Sequence, residues 1–238
     1  MKIPSIIFIV ILVSMPALAD TAAFRLNSGA AESLSNDTGD AFYNRISAEI
    51  FKRLGMQLTY IRLPSERSLI QANKGIDDGN IARIAGMEKE WPNLVQVPES
   101  IITWEFTAYS QRDDIQVSGW ESLKPYTVGH VRGWQIYNKK TRGAKKVIQA
   151  NDPAQLFGLL KKGRIDLALF ERFQAPYWFD KTGYMAKRLS PELAKKQLYI
   201  YVHKKHSKLV PNMVDAIRQM KKDGSYQQIF NQSFNYKK

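Results

Sequence analysis

Few side chains in this chain are suited to covalent chemistry. Its 238 residues include no cysteine, which removes thiolate nucleophiles, thiolate zinc sites, iron–sulfur clusters and disulfides together. The 3 histidines are His130, His203 and His206. His203 and His206 lie three residues apart across a strand end, with no acidic residue beside them, a poor ligand set for a metal. No Gly-x-Ser-x-Gly, phosphate loop or dinucleotide fingerprint occurs, and no spacing of carboxylates singles out an acid–base pair. The remaining chemistry is recognition. An arginine fork can grip a carboxylate, a buried glutamate needs a cationic partner, and a tryptophan face can cover an apolar group or a cation.

Such groups need a scaffold, and the composition is that of a globular one. Hydrophobic residues make up 44% and charged residues 24%, which excludes a wholly disordered or collagen-like chain. The length suits one large domain or two small lobes. Lys and Arg number 35 against 22 Asp and Glu, a formal charge of +13. The surplus is concentrated in residues 187–238, with 12 basic and 3 acidic residues. The lysines there alternate with apolar residues, so they read as the solvated face of folded elements rather than as a polyanion site.

Residues 1–19 carry Lys2, the apolar run from Ile6 to Val13, and then Pro16-Ala17-Leu18-Ala19. Small residues before a cleavage point and an apolar core too short to span a bilayer make this a signal peptide. No later run of apolar residues is long enough to cross a membrane, and no cysteine follows for a lipid anchor. The mature protein is therefore expected to be free in a Gram-negative periplasm, where nucleic acid is not a partner.

Residues 22–28 read as a strand, and a helix from an Asp40 cap to Leu54 places Phe42, Ile46, Ile50 and Leu54 on one face. A strand over 57–63 leads to a helix opened by Pro64-Ser65 and stopped at Gly75. Short apolar segments follow at 81–85 and 93–97. Residues 101–110 are strongly β-prone, and a second α/β unit begins after them. It has a strand over 126–131, a turn at Gly133, a helix capped by Asp152-Pro153 and a strand over 165–170. A β segment over 198–203, an amphipathic helix over 211–222 and a short helix from Ser225 to Phe230 complete the chain. Alternating strands and helices predict parallel sheets.

Several segments match one family in order. The C-terminal stretch over 198–234 has a strand, a basic turn, a helix and then Lys221-x-Asp223-Gly224-Ser225-Tyr226-x-x-Ile229-Phe230. VGHVRGWQ over 128–135, LLKKGRIDLALFE over 159–171 and ERSLIQANKGIDDG over 66–79 accompany it. The chain resembles the extracytoplasmic solute-binding proteins of ABC-type uptake systems that take polar amino acids. That resemblance implies two α/β lobes joined by two β-rich hinge strands, with the ligand cleft between them. Residues 20–108 and 199–238 would form the first lobe and 109–198 the second.

By the same resemblance, Arg83 stands where the family has a cleft-facing Ser or Thr, and Glu90 lies near the position of its usual carboxylate-clamping Arg. Arg83 would then hold a ligand carboxylate bidentately. Trp134, after Gly133, replaces the family's Ser or Thr at a helix start and would wall the cleft. Glu171 falls where the family places an Asp that receives the ligand's ammonium group. Glu66 and Arg67 open a helix at the cleft edge, and Arg132 precedes Gly133. Arg67, Arg83 and Arg132 would together make the cleft positive. The implied protein is a monomer with no cofactor and no metal, which closes on a small polar, amino-acid-like or carboxylated solute. It would deliver that solute to an inner-membrane ABC permease. The alternatives are a periplasmic enzyme on the same fold, of the cyclohexadienyl dehydratase kind, and the ligand-sensing subunit of a membrane receptor.

Overall fold

The computed structural model describes residues 23–234, so the expected signal peptide lies outside the described residues. Three parallel strands form one half of the sheet: β1 (Phe24–Ser28) between β2 (Leu58–Arg62) and β3 (Gly79–Arg83). A second parallel trio places β6 (Thr127–Val131) between β7 (Lys146–Ala150) and β8 (Leu167–Glu171).

Two antiparallel strands join the halves. β5 (Ile102–Ser110) pairs with β8 and with the first part of β10 (Ala194–His203). Beyond Leu198, β10 changes neighbours and pairs with β3 and with β4 (Leu94–Gln96). Where the chain crosses, Val97 N donates to Ile200 O and Ile101 N to Leu198 O, each at 2.9 Å. The short β9 (Lys187–Arg188) lies on β5. The result is two α/β lobes joined by a pair of β segments.

Each lobe has its own core, set by periodicity. In α1 (Phe42–Arg53), Phe42, Ile46 and Ile50 recur at four-residue spacing and are fully buried against Phe24, Leu26 and Ile81. α6 (Val210–Asp223) adds Met213, Ile217 and Met220 from the other end of the chain. In the second lobe Leu167 and Leu169 face one apolar cluster, while Ala168 and Phe170 face another. That two-sided burial is what a central parallel strand requires. α4 (Pro153–Lys161) covers the second face, capped as its sequence predicts by Asp152, which accepts from Gln155 N at 2.8 Å.

Several boundaries differ from the sequence reading. Asp40 is not the cap of α1. Its carboxylate already accepts from Asn36 Nδ2 and Thr38 Oγ1, both at 2.6 Å, and the helix starts from Ala41 without a side-chain cap. β10 begins four residues before 198, because Ala194 to Gln197 pair with β5. α7 (Ser225–Phe234) runs past Phe230, since Phe234 packs on Phe42 with ring centroids 5.1 Å apart. β7 and α5 (Ala175–Thr182) have no counterpart in the sequence reading. α2 (Ser65–Asn73) and α3 (Gln135–Lys140) complete the set of helices.

Candidate functional site

Parallel strands collect their carboxyl ends along one edge, and in this fold the edges of the two lobes face each other. β1 runs out into Gly29-Ala30-Ala31, β2 into Leu63-Pro64-Ser65, and β6 into Arg132-Gly133-Trp134. Between them lies a cavity of about 640 Å³ lined by Gly29, Ala30, Ala31, Asp37, Arg62, Leu63, Pro64, Ser65 and Trp134. Its walls therefore come from both lobes. A second depression of about 630 Å³ lies at the crossing strands, lined by Ile84, Ala85, Thr103, Lys195, Lys196, Gln197 and Tyr199.

Arg83, the last residue of β3, reaches the wall of the first cavity. Its Nη1 donates to Ser65 Oγ at 3.0 Å and its Nη2 to Ser65 O at 3.1 Å and Ser68 Oγ at 2.6 Å. Its Nε donates to Asn80 Oδ1 at 2.5 Å. A side-chain carbon added at Gly29 would lie 3.0 Å from Nη2, so the glycine lets the guanidinium sit against the cavity lining. Four of the five guanidinium N–H groups are thus engaged, all with neutral acceptors. A two-pronged grip on a carboxylate, the geometry expected from sequence, needs Ser65 to release one prong. Among the described residues no carboxylate forms an ion pair with Arg83, and burial pulls its pKa down to about 10. A cation removed from water without a counter-ion is an anion-seeking group.

Trp134 precedes α3 and is held in an aromatic stack. Its ring lies 5.7 Å from Trp104, 5.6 Å from Tyr137 and 5.1 Å from Phe170, with interplanar angles of 18°, 12° and 26°. Trp104 belongs to β5, and its Nε1 donates to Tyr43 OH at 3.0 Å in the first lobe. The stack thus gives the cavity one flat, rigid apolar wall.

Glu171 ends β8 and is fully buried. Sequence reasoning set a cationic ligand group against it. Instead the carboxylate accepts the backbone N–H groups of Phe173 at 3.0 Å, Gln174 at 3.1 Å and Glu105 at 3.4 Å. Burial raises its pKa to about 7, and the backbone donors only partly oppose the rise. Arg172, its sequence neighbour, pairs with Glu105 at 2.6 Å. The loop that Glu171 braces touches the other lobe. Gln174 Oε1 accepts from Ser33 Oγ at 3.1 Å, and Phe173 packs on Phe230 and Phe234 of α7 at 5.1 and 5.3 Å.

The structure therefore places Trp134 in the cavity lining, Arg83 behind that lining on Ser65, and Glu171 beneath a loop that touches the other lobe. Glu66, Arg67 and Arg132 are exposed. Their side chains make no hydrogen bond or ion pair with the described residues. His206, which has no acidic neighbour in sequence, meets Asp78 across the fold, with Nε2 2.7 Å from Oδ1. Sequence reasoning missed Ser65, Ser68 and Asn80, the cradle of Arg83. Their only signal was spacing: two serines three apart at a helix start, and an asparagine three before the arginine.

No family model matches the chain. A protein of Shewanella oneidensis, described only as uncharacterized, is 22% identical over 183 residues, which cover 74% of this chain and 69% of that one. An ancestral arginine-binding protein bound to arginine is similar in structure, with a TM-score of 0.69 and 19% identity over 90% of this chain and 99% of that one. The GluR0 ligand-binding core from Nostoc punctiforme, in complex with L-glutamate, gives 0.70 and 14% over 89% and 99%. At these identities the likeness establishes the fold. It is the two-lobed type II fold of periplasmic binding proteins.

Proposed function

We propose that this protein is an extracytoplasmic solute-binding protein that closes its lobes on a small carboxylated, amino-acid-like molecule. One observation carries the reading: Arg83 sits at the wall of a cavity between the lobes, partly desolvated, with four neutral hydrogen-bond acceptors and no counter-ion. An entering carboxylate supplies the missing charge. In this reading Trp134 covers the apolar part of the solute, and the unpaired Arg67 and Arg132 steer anions toward the opening. Glu66 stands beside Arg67 on the rim. Glu171 acts through the loop it braces.

No helix among the described residues is long and apolar enough to cross a membrane. With the signal-peptide pattern of residues 1–19, this supports export to the periplasm, where an ABC-type permease would take the solute from the closed protein. The ligands named for the two solved structures, arginine and glutamate, are the natural first probes.

The test is calorimetry of the purified mature protein against the common amino acids and small dicarboxylates. At least one should bind, and Arg83→Ala should weaken it by about 2 kcal/mol or more, the loss expected for a hydrogen-bonded charge contact. A folded Arg83→Ala protein with unaltered affinity would remove Arg83 from the site. A wild-type protein that binds none of them would remove the solute class.

A further inference from the structure

The bonds that hold Arg83 continue behind it into the first lobe. Asp77 is fully buried, with Arg25 Nη2 3.0 Å from its Oδ1. Its other oxygen accepts from Asn27 Nδ2 at 2.7 Å. The same Nδ2 donates to Ser68 O at 2.9 Å, so both amide protons of Asn27 are engaged. Asn80 Nδ2 donates to Asn27 Oδ1, and Asn80 Oδ1 accepts from Arg83 Nε at 2.5 Å. Asn27 and Asn80 are fully buried too.

Only one direction of donation is open to this chain. A carboxylate and a backbone carbonyl both accept and cannot donate, so Asn27 must turn its NH2 toward Asp77 and Ser68 and its oxygen toward Asn80. Asn80 must then turn its NH2 toward Asn27 and its oxygen toward Arg83. That oxygen is a fixed acceptor for the Nε–H of the guanidinium. Through two amides, Asp77 and the Ser68 carbonyl set the orientation of the guanidinium Nε–H.

The backbone of β3 is bent to permit this. Residues three apart on a regular strand point to opposite faces, yet Asn80 and Arg83 share one. Arg83 pairs with Tyr199 and Asn80 with Tyr201, so three steps along β3 match two along β10. That extra residue is a β-bulge, and Ala82 within it has φ 68°, the only positive φ outside glycine among the described residues. The left-handed region carries a steric cost for alanine. Bulges recur where a strand must re-aim a side chain.

We propose that Asn80, backed by Asn27 and Asp77 and made possible by the bulge at Ala82, is the positioning unit of Arg83, locking its fork against the cavity wall before any solute arrives. This rests on the reading of Arg83 as the anion contact. Preorganisation of this kind reduces the ordering that binding must otherwise supply.

NMR of the ligand-free protein tests the proposal without knowledge of the solute. The Nε–H signal of Arg83, assigned by its loss in Arg83→Lys, should be resolved and protected from solvent exchange. In Asn80→Ala, with its fold checked by circular dichroism, exchange should be faster by about tenfold or more. Unchanged protection in the folded variant overturns the proposal. Should Asn80→Ala not fold, Asn80→Ser decides the matter, because its side chain keeps a polar group in the pocket but is too short to reach the Nε–H of Arg83. There exchange should again be faster by about tenfold or more, and unchanged protection overturns the proposal. Titration of the wild type with L-glutamate and L-arginine is a separate readout. A protected Nε–H without binding of either sinks the cleft reading for those probes and leaves the positioning of Arg83 established.

Discussion

Glu171 and Arg83 are both largely withdrawn from water, in ways that can be measured apart. Arg83 remains partly exposed and is bonded to Ser65 of the cavity wall. Glu171 is fully buried, and three amide N–H groups do not offset that burial, so its folded pKa rises to about 7 from 4.5. The sign of the consequence follows from proton linkage. Between those two values the folded protein holds a proton that the unfolded chain has released, so this group favours folding most below about pH 4.5. That contribution fades as pH rises and is gone above about pH 7. The shift corresponds to about 3 kcal/mol at most. Urea titrations at pH 5 and pH 8 should show the wild type losing stability with rising pH by an amount that Glu171→Gln largely abolishes. An identical pH dependence in the two proteins would mean that Glu171 is ionised at no extra cost. Position 171 as a special glutamate was legible in sequence through the family pattern. Its partners were not, because they are backbone N–H groups of the following loop and of β5, and no side-chain pattern encodes them.

At the scale of elements, legibility followed periodicity. α1, α4 and α6 announce themselves by apolar spacing and by the stop glycines after them, Gly55, Gly163 and Gly224, each at positive φ. β7 does not, because it is an edge strand with four of its five residues at least partly exposed, and its Lys-Val-Ile-Gln-Ala sequence shows little apolar run. The bulge in β3 gave no signal at all, since alanine rather than glycine occupies its left-handed position. The strand does carry one sequence mark, Gly79, which opens it between β1 and β10. A side-chain carbon there would lie 2.7 Å from the Tyr201 carbonyl oxygen and 3.1 Å from Leu26 Cδ1. The first contact is with backbone and cannot rotate away. Gly79→Ala should therefore cost about 1–3 kcal/mol of stability, as overpacking of a core does, read as a lower urea midpoint. Because β3 also carries Asn80 and Arg83, solute affinity should fall with it. A variant as stable as the wild type would show that β3 and β10 can part without loss.

For the whole molecule the question is how the lobes stay together. The positive surplus of the last quarter gives no answer as a block, because the fold disperses it. Lys187 pairs with Asp113, Lys195 with Glu192, Lys205 with Asp78, and Arg218 and Lys221 with Glu99. Surface pairs of this kind contribute little stability each, but they break up any continuous basic stripe. The lobes are bridged by the Trp104–Trp134 stack, from which Trp104 Nε1 reaches Tyr43 OH, and by one loop, with Phe173 against Phe230 and Phe234 and Gln174 against Ser33. The backbone of that loop is braced by Glu171. A solute can stabilise closure only by binding the closed form better than the open one. Whatever the protein already invests in closure lowers what the solute must supply. Truncating Phe173 removes the apolar contact made by that loop, about 1–2 kcal/mol for a half-buried ring. Phe173→Ala should thus enlarge the radius of gyration of the ligand-free protein in X-ray scattering. It should also weaken solute binding by up to about tenfold through the smaller closed population, while leaving the melting of each lobe's own core nearly unchanged. If the ligand-free radius and the affinity both stay at their wild-type values, the loop's contacts are incidental, and closure belongs to the crossing strands, the Trp104–Trp134 stack and the solute.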